Sequence, residues 1–523
     1  MQSVPLLSTF PVPFLSLAIW VPILFGILVL LTGSDSKPAA SRWLALAGSI
    51  VSLLLTIPLI AGFHDATAAM QFVELHDWIP EFHIAYHLGI DGISLWLVVL
   101  TAFTTLIIVI ASWNVITYRV AQYLASFLFL SGMMTGVFAS LDGMLFFVFF
   151  EATLIPMYLL IGAWGGASRV AAAMKFFFFS LIGSLLMLVA LLYLHQQSHT
   201  FDMDAWRDLQ LGFTPQLLIF IAFFAAFAVK VPMWPVHTWL PQVHLEAPTG
   251  ASVMLSMLKL GAYGFLRFAL PITPDASHFF APAMIVLSLV AVIYGSLVAL
   301  AQVDMSKLAA YSSVAHMGLV TLGLFVFNGV AAEGAIVQMI SYGFVSGALF
   351  LCIGVFHERM HTGLIDAYGG VANVMPKFAV FAMIFAMANV GLPGTSGFVG
   401  EFLVILGAIK FNFWVGALAG LTLILSAAYT LSMYKRAFFG AVANHNVAQL
   451  LDIGKREFVM LGAMAALVLF MGVYPRPFTD AIDASSANLL AQAQRSKQPA
   501  EAEPIRNASL PGSREMHDIR PPA

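Results

Sequence analysis

Five ionisable side chains interrupt otherwise apolar runs of the chain: Glu151 in FFVFFEATLIPMY, Lys230 in AFAVKVPMW, Lys259 in VMLSMLKLGAYGF, His316 in AAYSSVAHMGLV and Glu401 in GFVGEFL. A charge at the centre of a bilayer costs about 2.5 to 3.5 kcal/mol on insertion scales, so such residues are read first as functional. The chemistry that needs lysine and glutamate in a dry bundle is proton transfer. Burial weakens a lysine's hold on its proton and a neighbouring carboxylate strengthens it. At an effective dielectric of 20, unit charges 4 Å apart interact by about 4 kcal/mol, and moving one charge through 100 mV takes about 2.3 kcal/mol. Opening or closing a Glu151–Lys230 contact is therefore of the right size to load or release a proton against a membrane potential.

Polar neighbours support this reading. Ser252, Ser256, Lys259 and Tyr263 recur at steps of four, three and four, which stacks them on one helical face. Gln338, Tyr342 and Ser346 make a second stripe, and Ser312 with His316 begins a third. Each candidate also has a plainer reading. Glu151 and Lys230 can be a static ion pair that fixes helix register, and His316 can be a satisfied core histidine. His237 and His244 flank Pro241 with no third ligand evident, so they make a poor metal pair, and His237 is kept with Tyr342 as a secondary proton-transfer candidate. No metal site is expected. The single cysteine, Cys352, lies in an apolar run and cannot supply the several thiolates that clusters and disulfide frameworks need. No bound cofactor is expected, and any redox chemistry belongs to another chain.

The elements that hold these residues are membrane helices. Of 523 residues, 60% are hydrophobic and 9% charged, against roughly 25% charged in soluble domains. Apolar runs of about 20 residues predict an all-α polytopic protein with about fourteen spans. Two of them, over 214–244 and 377–410, are overlong and carry Pro and Gly near their middles. Backbone breaks at membrane depth are tolerated where they are buried in protein or line a wet cavity, and paired breaks suggest repeats around an ion path. The expected organisation is three N-terminal helices over 1–119, a first antiporter-like repeat of five helices over 120–270, and a second, inverted repeat over 282–434. A last helix with its loop follows over 435–475, then a polar tail over 476–523, read as disordered from about 485 and containing a chance glycosylation sequon at Asn507. The first run follows no basic segment and is long enough to span, so it is read as a helix rather than a cleaved signal. Lys37, Arg42, Arg119, Arg169, Lys307, Arg359, Lys435, Arg436, Lys455 and Arg456 fall on one set of alternating loops. The positive-inside rule makes that set cytoplasmic and puts both termini outside.

At these same residues the chain resembles a known family. EATLIPMYLLIG, KVPMWPVHTWLPQVHLEAPTG, LKLGAYGFLRF, QVDMSKLAAYSSVAHMG and GLPGTSGFVGEF, in this order, are similar to the antiporter-like subunit M (chain 4) of NADH:quinone oxidoreductase, respiratory complex I. The resemblance runs from GIDGIS near residue 89 to YKRAFFG near 440. It implies fourteen transmembrane helices with inverted five-helix repeats, no redox cofactor of its own, and membership of a proton-pumping translocase. Glu151 and Lys230 then become a modulating pair, Lys259 the central proton carrier, His316 a linking group and Glu401 the carboxylate toward the outer exit. It further implies neighbouring antiporter-like and other membrane subunits as partners, in the bacterial inner membrane, and no nucleic acid. Two departures stand out: Tyr342 occupies a position where the family usually has histidine, and Ser306 one where lysine is common. Tyrosine keeps a hydrogen-bonding hydroxyl but titrates near 10, so the link from Lys259 toward Glu401 is expected to lean on water. A subunit of a multisubunit sodium/proton antiporter of the same superfamily, and a structural scaffold with static charges, are the alternatives.

Overall fold

The computed structural model describes residues 12–33, 38–257, 259–442 and 445–497. Lys37, Asn507 and the chain from 498 onward lie outside the described residues. The chain begins with α1 (Phe14–Thr32) and α2 (Pro38–Ala61), then an antiparallel hairpin, β1 (Gln71–Ile79) and β2 (Ile84–Ile90). There follow α3 (Gly92–Ala111), α4 (Val120–Ala139), a span divided at Thr153 into α5 (Gly143–Ala152) and α6 (Leu154–Trp164), α7 (Arg169–Ser198) and the short α8 (Met203–Asp208). The first interrupted span is α9 (Phe213–Lys230) with α10 (Leu240–Glu246). The next span is α11 (Thr249–Met257), α12 (Leu260–Gly264), a π-helical turn at Phe265–Ala269, and α13 (Leu270–Ile272). Then come α14 (Pro274–Leu300), α15 (Met305–Phe325), α16 (Gly329–Met360) and the short α17 (Val371–Val374). The second interrupted span is α18 (Pro376–Val390) with α19 (Ser396–Phe411), followed by α20 (Phe413–Phe438), α21 (His445–Ala448), α22 (Lys455–Val473) and α23 (Arg476–Ala493).

Among the described residues thirteen helical segments are long and apolar enough to cross a membrane, and α18 is a shorter apolar helix. The chain is an all-α polytopic membrane protein with one small hairpin added. Connectivity puts the hairpin, α8, the α13–α14 turn and α23 at one end of the bundle, here called the hairpin end. Arg42, Arg119, Arg169, Lys307, Arg359 and Arg456 lie toward the opposite end. Most of the structure's burial is in the middle spans: α15 and α16 are almost entirely enclosed, whereas α1, α2, α7, α20 and α22 leave much of their surface outward.

Local chemistry explains the ends and the breaks. Asp91, Asp142, Asp304, Asn328 and Asn412 accept hydrogen bonds from the first free N–H groups of α3, α5, α15, α16 and α20, the arrangement that satisfies orphan donors at a helix start. After Lys230 the sequence VPMWP offers two prolines, which cannot donate to a helical ladder. The freed groups find other partners: Trp239 Nε1 donates to Val229 O at 3.1 Å and Lys175 Nζ to Thr238 O at 3.0 Å. The second break turns at Gly391, whose φ of +79° is left-handed and whose added Cβ would lie 2.8 Å from Glu401 Oε2. Only glycine meets both demands there.

Three sequence expectations need correction. The reading of every element as helix missed β1–β2, an exposed strand paired across bulged registers with a buried or half-buried one. The eighth span is not regular helix at Lys259, which stands at the N-cap of α12 with φ −83° and ψ 17°, although no proline stands there. The tail does not become disordered at about 485, because α23 runs to Ala493 and buries Phe478, Ala481, Ile482, Ser485 and Leu489. Its polar composition hid an amphipathic helix lying on α3, α13 and α16.

Candidate functional site: a buried line of ionisable residues

Lys230 closes α9 and is 5% exposed. Its Nζ stands 5.0 Å from the ring centre of Phe150 and 5.4 Å from that of Phe176, and has no hydrogen-bond partner. Phe176 belongs to the run KFFFFS, of whose four rings it is the buried one. Glu151, near the end of α5, has a buried Oε1 that is likewise without a partner. The predicted pair is therefore not in hydrogen-bond contact, and the static ion-pair reading loses its geometric basis. Aromatic faces attract a cation electrostatically, so Lys230 is held by rings while its carboxylate stands off.

A cavity of about 20 Å³, room for about one water molecule, joins Lys230 to Lys259, with His244, Ser256 and Ser313 on its wall. His244 is also on the wall of a larger cavity of about 390 Å³ toward the opposite end, bounded by Tyr118, Glu246, Ser252, Ser306 and His357. Ser306, where the family resemblance led us to expect lysine, thus edges this vestibule. His244 is 2% exposed, stacks on Phe350 at 4.2 Å, and has no hydrogen-bond partner at either ring nitrogen. His237 lies elsewhere, edge-on to Tyr294 at 5.6 Å and Tyr311 at 6.1 Å, and does not border the Lys230–Lys259 cavity.

Lys259 occupies the N-cap position of α12, and its Nζ is 4.9 Å from the centre of the Tyr342 ring. Tyr342 in turn stacks on His316 with ring centres 4.6 Å apart, and its hydroxyl donates to Ser313 Oγ at 3.2 Å and Ser312 Oγ at 3.4 Å. The tyrosine ring stands between lysine and histidine, while its hydroxyl is engaged by the serines of α15 and not by Lys259. Ser346 turns its hydroxyl back to Tyr342 O at 2.6 Å and takes no part in the line.

His316 Nδ1 lies 2.9 Å from Glu401 Oε1, close enough for an ion pair although not aligned as a hydrogen bond. Gln338 Nε2 donates to the same oxygen at 3.1 Å. On its other side His316 Nε2 meets Tyr429 Oη at 3.2 Å, and Tyr429 Oη meets Ser312 Oγ at 2.8 Å. Asn389, beside the second break, donates to Thr430 Oγ1 at 2.9 Å and to Ser312 Oγ at 3.3 Å. Tyr429, Asn389 and Thr430 were not singled out from sequence. Asn389 had a signal, an amide two residues before the breaking Gly391; a tyrosine or threonine in a long apolar helix has none. Among the described residues, no group of three or more His, Cys, Asp or Glu side chains is arranged to hold a metal.

The structure thus brings Lys230, Lys259, Tyr342, His316 and Glu401 into one sequence of neighbours, with Glu151 at one end and His237 apart. Comparison with known proteins adds a family context. Residues 140–426 match the family model described as "NADH:quinone oxidoreductase/Mrp antiporter, TM". The chain is 48% identical over 496 residues to NADH-quinone oxidoreductase subunit M of Rhodobacter capsulatus, covering 91% of this chain and 96% of that one. It is 44% identical over 470 residues to NADH-ubiquinone oxidoreductase chain 4 of Chondrus crispus, covering 89% and 96%. Among solved structures, a chain of respiratory complex I from Thermus thermophilus with bound NADH superposes with a TM-score of 0.83 at 32% identity, covering 91% of this chain and 99% of that one. A chain of the Mrp complex from a Dietzia species shares the fold, with a TM-score of 0.79 at 20% identity over 91% and 97%.

Proposed function

The chain belongs to the family of subunit M of NADH:quinone oxidoreductase, and from that premise we propose that it carries protons across the membrane along the line from Lys230 through Lys259, Tyr342 and His316 to Glu401. As a member it is one multi-pass subunit of a translocase, assembled with the other membrane subunits of complex I. The observation that carries the proposal is the order of buried titratable groups, each in cavity, ring or ion-pair contact with the next, along two spans interrupted beside their charges. A static scaffold has no need of a lysine whose ammonium lacks a hydrogen-bond partner beside a cavity.

In this reading the vestibule at the opposite end delivers protons past His244 to the cavity shared by Lys230 and Lys259. Approach or withdrawal of Glu151 sets whether Lys230 keeps its charge, and repulsion from a charged Lys230 drives the proton on Lys259 toward Tyr342 and His316. The Tyr342 hydroxyl passes a proton by donating one and accepting another, without titrating itself. Glu401, carrying a negative charge near His316, receives it for release. The basic loops make the opposite end cytoplasmic and the hairpin end, with both chain termini, external. The two interrupted spans belong to two inverted repeats, one over 120–270 and one over 282–434.

Substituting Lys259→Ala in the complete complex tests the line. Proton uptake by reconstituted vesicles is expected to fall by at least about a hundredfold, the lower end of what a positioned proton-transfer group contributes, with assembly unchanged. Pumping at the wild-type rate would remove Lys259 from the path. The sodium/proton reading is separated by the same vesicles: uptake that follows a sodium gradient rather than NADH oxidation would favour it.

A further inference from the structure

Lys259 sits at the inner tip of a short rod, α12 with the π turn and α13, whose outer part is fixed by contacts that the proton line does not use. Arg267, in the middle of the π turn, is 5% exposed and grips Asp91 with both arms of its guanidinium: Nη1 donates to Oδ2 at 2.9 Å and Nη2 to Oδ1 at 2.7 Å. Arg267 Nε donates to Tyr263 Oη at 3.1 Å, and Tyr263 Oη donates to Phe138 O at 2.8 Å, so the rod is tied to α3 and α4 together. Asp91 is itself immobilised. Its Oδ1 caps α3 through Ile93 N and Ser94 N, and the next residue, Gly92, donates to Ser485 Oγ of α23 at 3.0 Å. A Cβ on Gly92 would lie 1.7 Å from Ala481 O, so α23 presses directly on the capping turn.

At its inner end the rod is seated on the helix that carries Lys230. A Cβ on Gly261 would fall 2.5 Å from Phe227 O and 2.8 Å from Val231 N, close to Lys230 at the end of α9. Between seat and anchor the π turn adds a residue to the helical repeat, which rotates the rest of the rod by about 100°. That extra residue brings the Arg267 fork round to Asp91 while Lys259 keeps facing Tyr342. The stretch from Lys259 to Arg267 spans about 12 Å of rod, and a bidentate ion pair fixes orientation as well as distance.

We propose that the Asp91–Arg267 pair, clamped by α23, is a positioning device that sets where Lys259 stands relative to the Lys230 cavity and the Tyr342 ring. Asp91 and Arg267 are positioning residues: they touch no group on the proton line, and act through the rod. It follows that the contacts of α23 at the hairpin end bear on the middle of the membrane. The inference rests on the assignment of Lys259 as a proton carrier.

The test uses the complete complex in vesicles and has three arms. Lys259→Ala alone reports on the carrier assignment; wild-type pumping there defeats that assignment regardless of the anchor. In the second arm Asp91→Asn, which keeps the size and cap of the side chain but not its charge, is compared with wild type for protons pumped per assembled complex. A loss of up to about a hundredfold is expected, the scale for ångström misplacement of a reacting group. The third arm places a thiol at the position itself, Lys259→Cys with Cys352→Ala, and follows its modification by a permeant maleimide, with and without Asp91→Asn, by mass spectrometry of that peptide. The rate is expected to change severalfold when the anchor is lost. If labelling is unchanged, the positioning role is overturned whatever pumping does, and unchanged pumping per complex overturns it as well. Should Asp91→Asn not assemble, Arg267→Lys, which keeps a charge and loses the fork, carries the same comparisons.

Discussion

The two halves of the buried line are built in opposite ways. Around Glu401, Gln338, His316, Tyr429, Ser312, Asn389 and Thr430 form one connected network at distances of 2.8 to 3.3 Å, although Glu401 Oε2, Gln338 Oε1 and His316 Nδ1 carry no hydrogen bond. Around Lys230, Glu151 Oε1, Lys230 Nζ and both nitrogens of His244 have none, and a cavity stands where the partners would be. A connected buried network restrains the groups it joins, whereas buried charges with no contact partner are costly and free to change neighbours. The contrast implies that the Glu401 region is arranged to hold its groups in register and the Lys230 region to let them change partners. Tyr342 is the seam, touching Lys259 with its ring and the serines of α15 with its hydroxyl.

The largest expected difference between the regions is in stability. Glu401→Ala strips partners from His316 and Gln338 in a buried site, a change that costs about 3 to 5 kcal/mol. Lys230→Ala removes a charge that has no hydrogen-bond partner and is expected to cost under about 2 kcal/mol. Thermal unfolding of the two variant complexes in the same detergent checks the contrast, and equal losses would erase it. In activity the order reverses for conservative changes at the loose end. Glu151→Gln is expected to lower proton uptake about tenfold by removing the charge that holds a proton on Lys230, while Glu151→Asp retains part of it; identical behaviour of the two would mean that charge is not the operative property.

A smaller effect is expected at the seam. Tyr342→Phe keeps the ring beside Lys259 and His316 but loses the hydroxyl, so proton transfer should slow by a few fold rather than stop, in line with the loss of one hydrogen bond of about 1 kcal/mol. Tyr342→His is expected to be tolerated, with the pH optimum drawn toward the imidazole range. A fully active Phe variant would leave ring contact as Tyr342's whole contribution. The smallest effect concerns the hairpin end. Burial pushes Lys497 down from 10.5 to about 8, although its ammonium donates to Trp206 O and Ile272 O. Docking of this segment therefore sheds a proton between those values: it is weakest below pH 8 and strengthens as pH rises toward 10.5. Tryptic cleavage at Arg495 should be slower at about pH 9.5 than at about pH 7, after correction for the protease's own pH dependence.

The sequence exposed the charges better than their wiring. A lysine or glutamate within a long apolar run is conspicuous, so Glu151, Lys230, Lys259, His316 and Glu401 were legible, as were breaks marked by Pro235 or Gly391. The non-helical backbone at Lys259 carries no proline, and local propensity does not report it. Asp91 and Arg267 are 176 residues apart, so no local pattern joins them. The hairpin strands went unread because their alternation is blurred by bulges and by exposed Leu75 and Trp78 among charges. In α23, polar composition outweighed the spacing of Phe478, Ile482, Ser485 and Leu489, which a helical-period count would have caught. Tyr429 and Thr430 became meaningful only when α20 was seen against His316.

The central claim is that the loose and the wired halves form one proton path that meets at Lys259 and Tyr342. Cryo-electron microscopy of the complete complex, at a resolution where ordered waters are visible, tests it most directly. The account predicts waters running from the vestibule past His244 into the Lys230–Lys259 cavity, and unbroken hydrogen-bond or ring contact from Lys259 through Tyr342 and His316 to Glu401. A dry cavity around Lys230, with solvent reaching Glu401 by a route that bypasses Lys259, would contradict it.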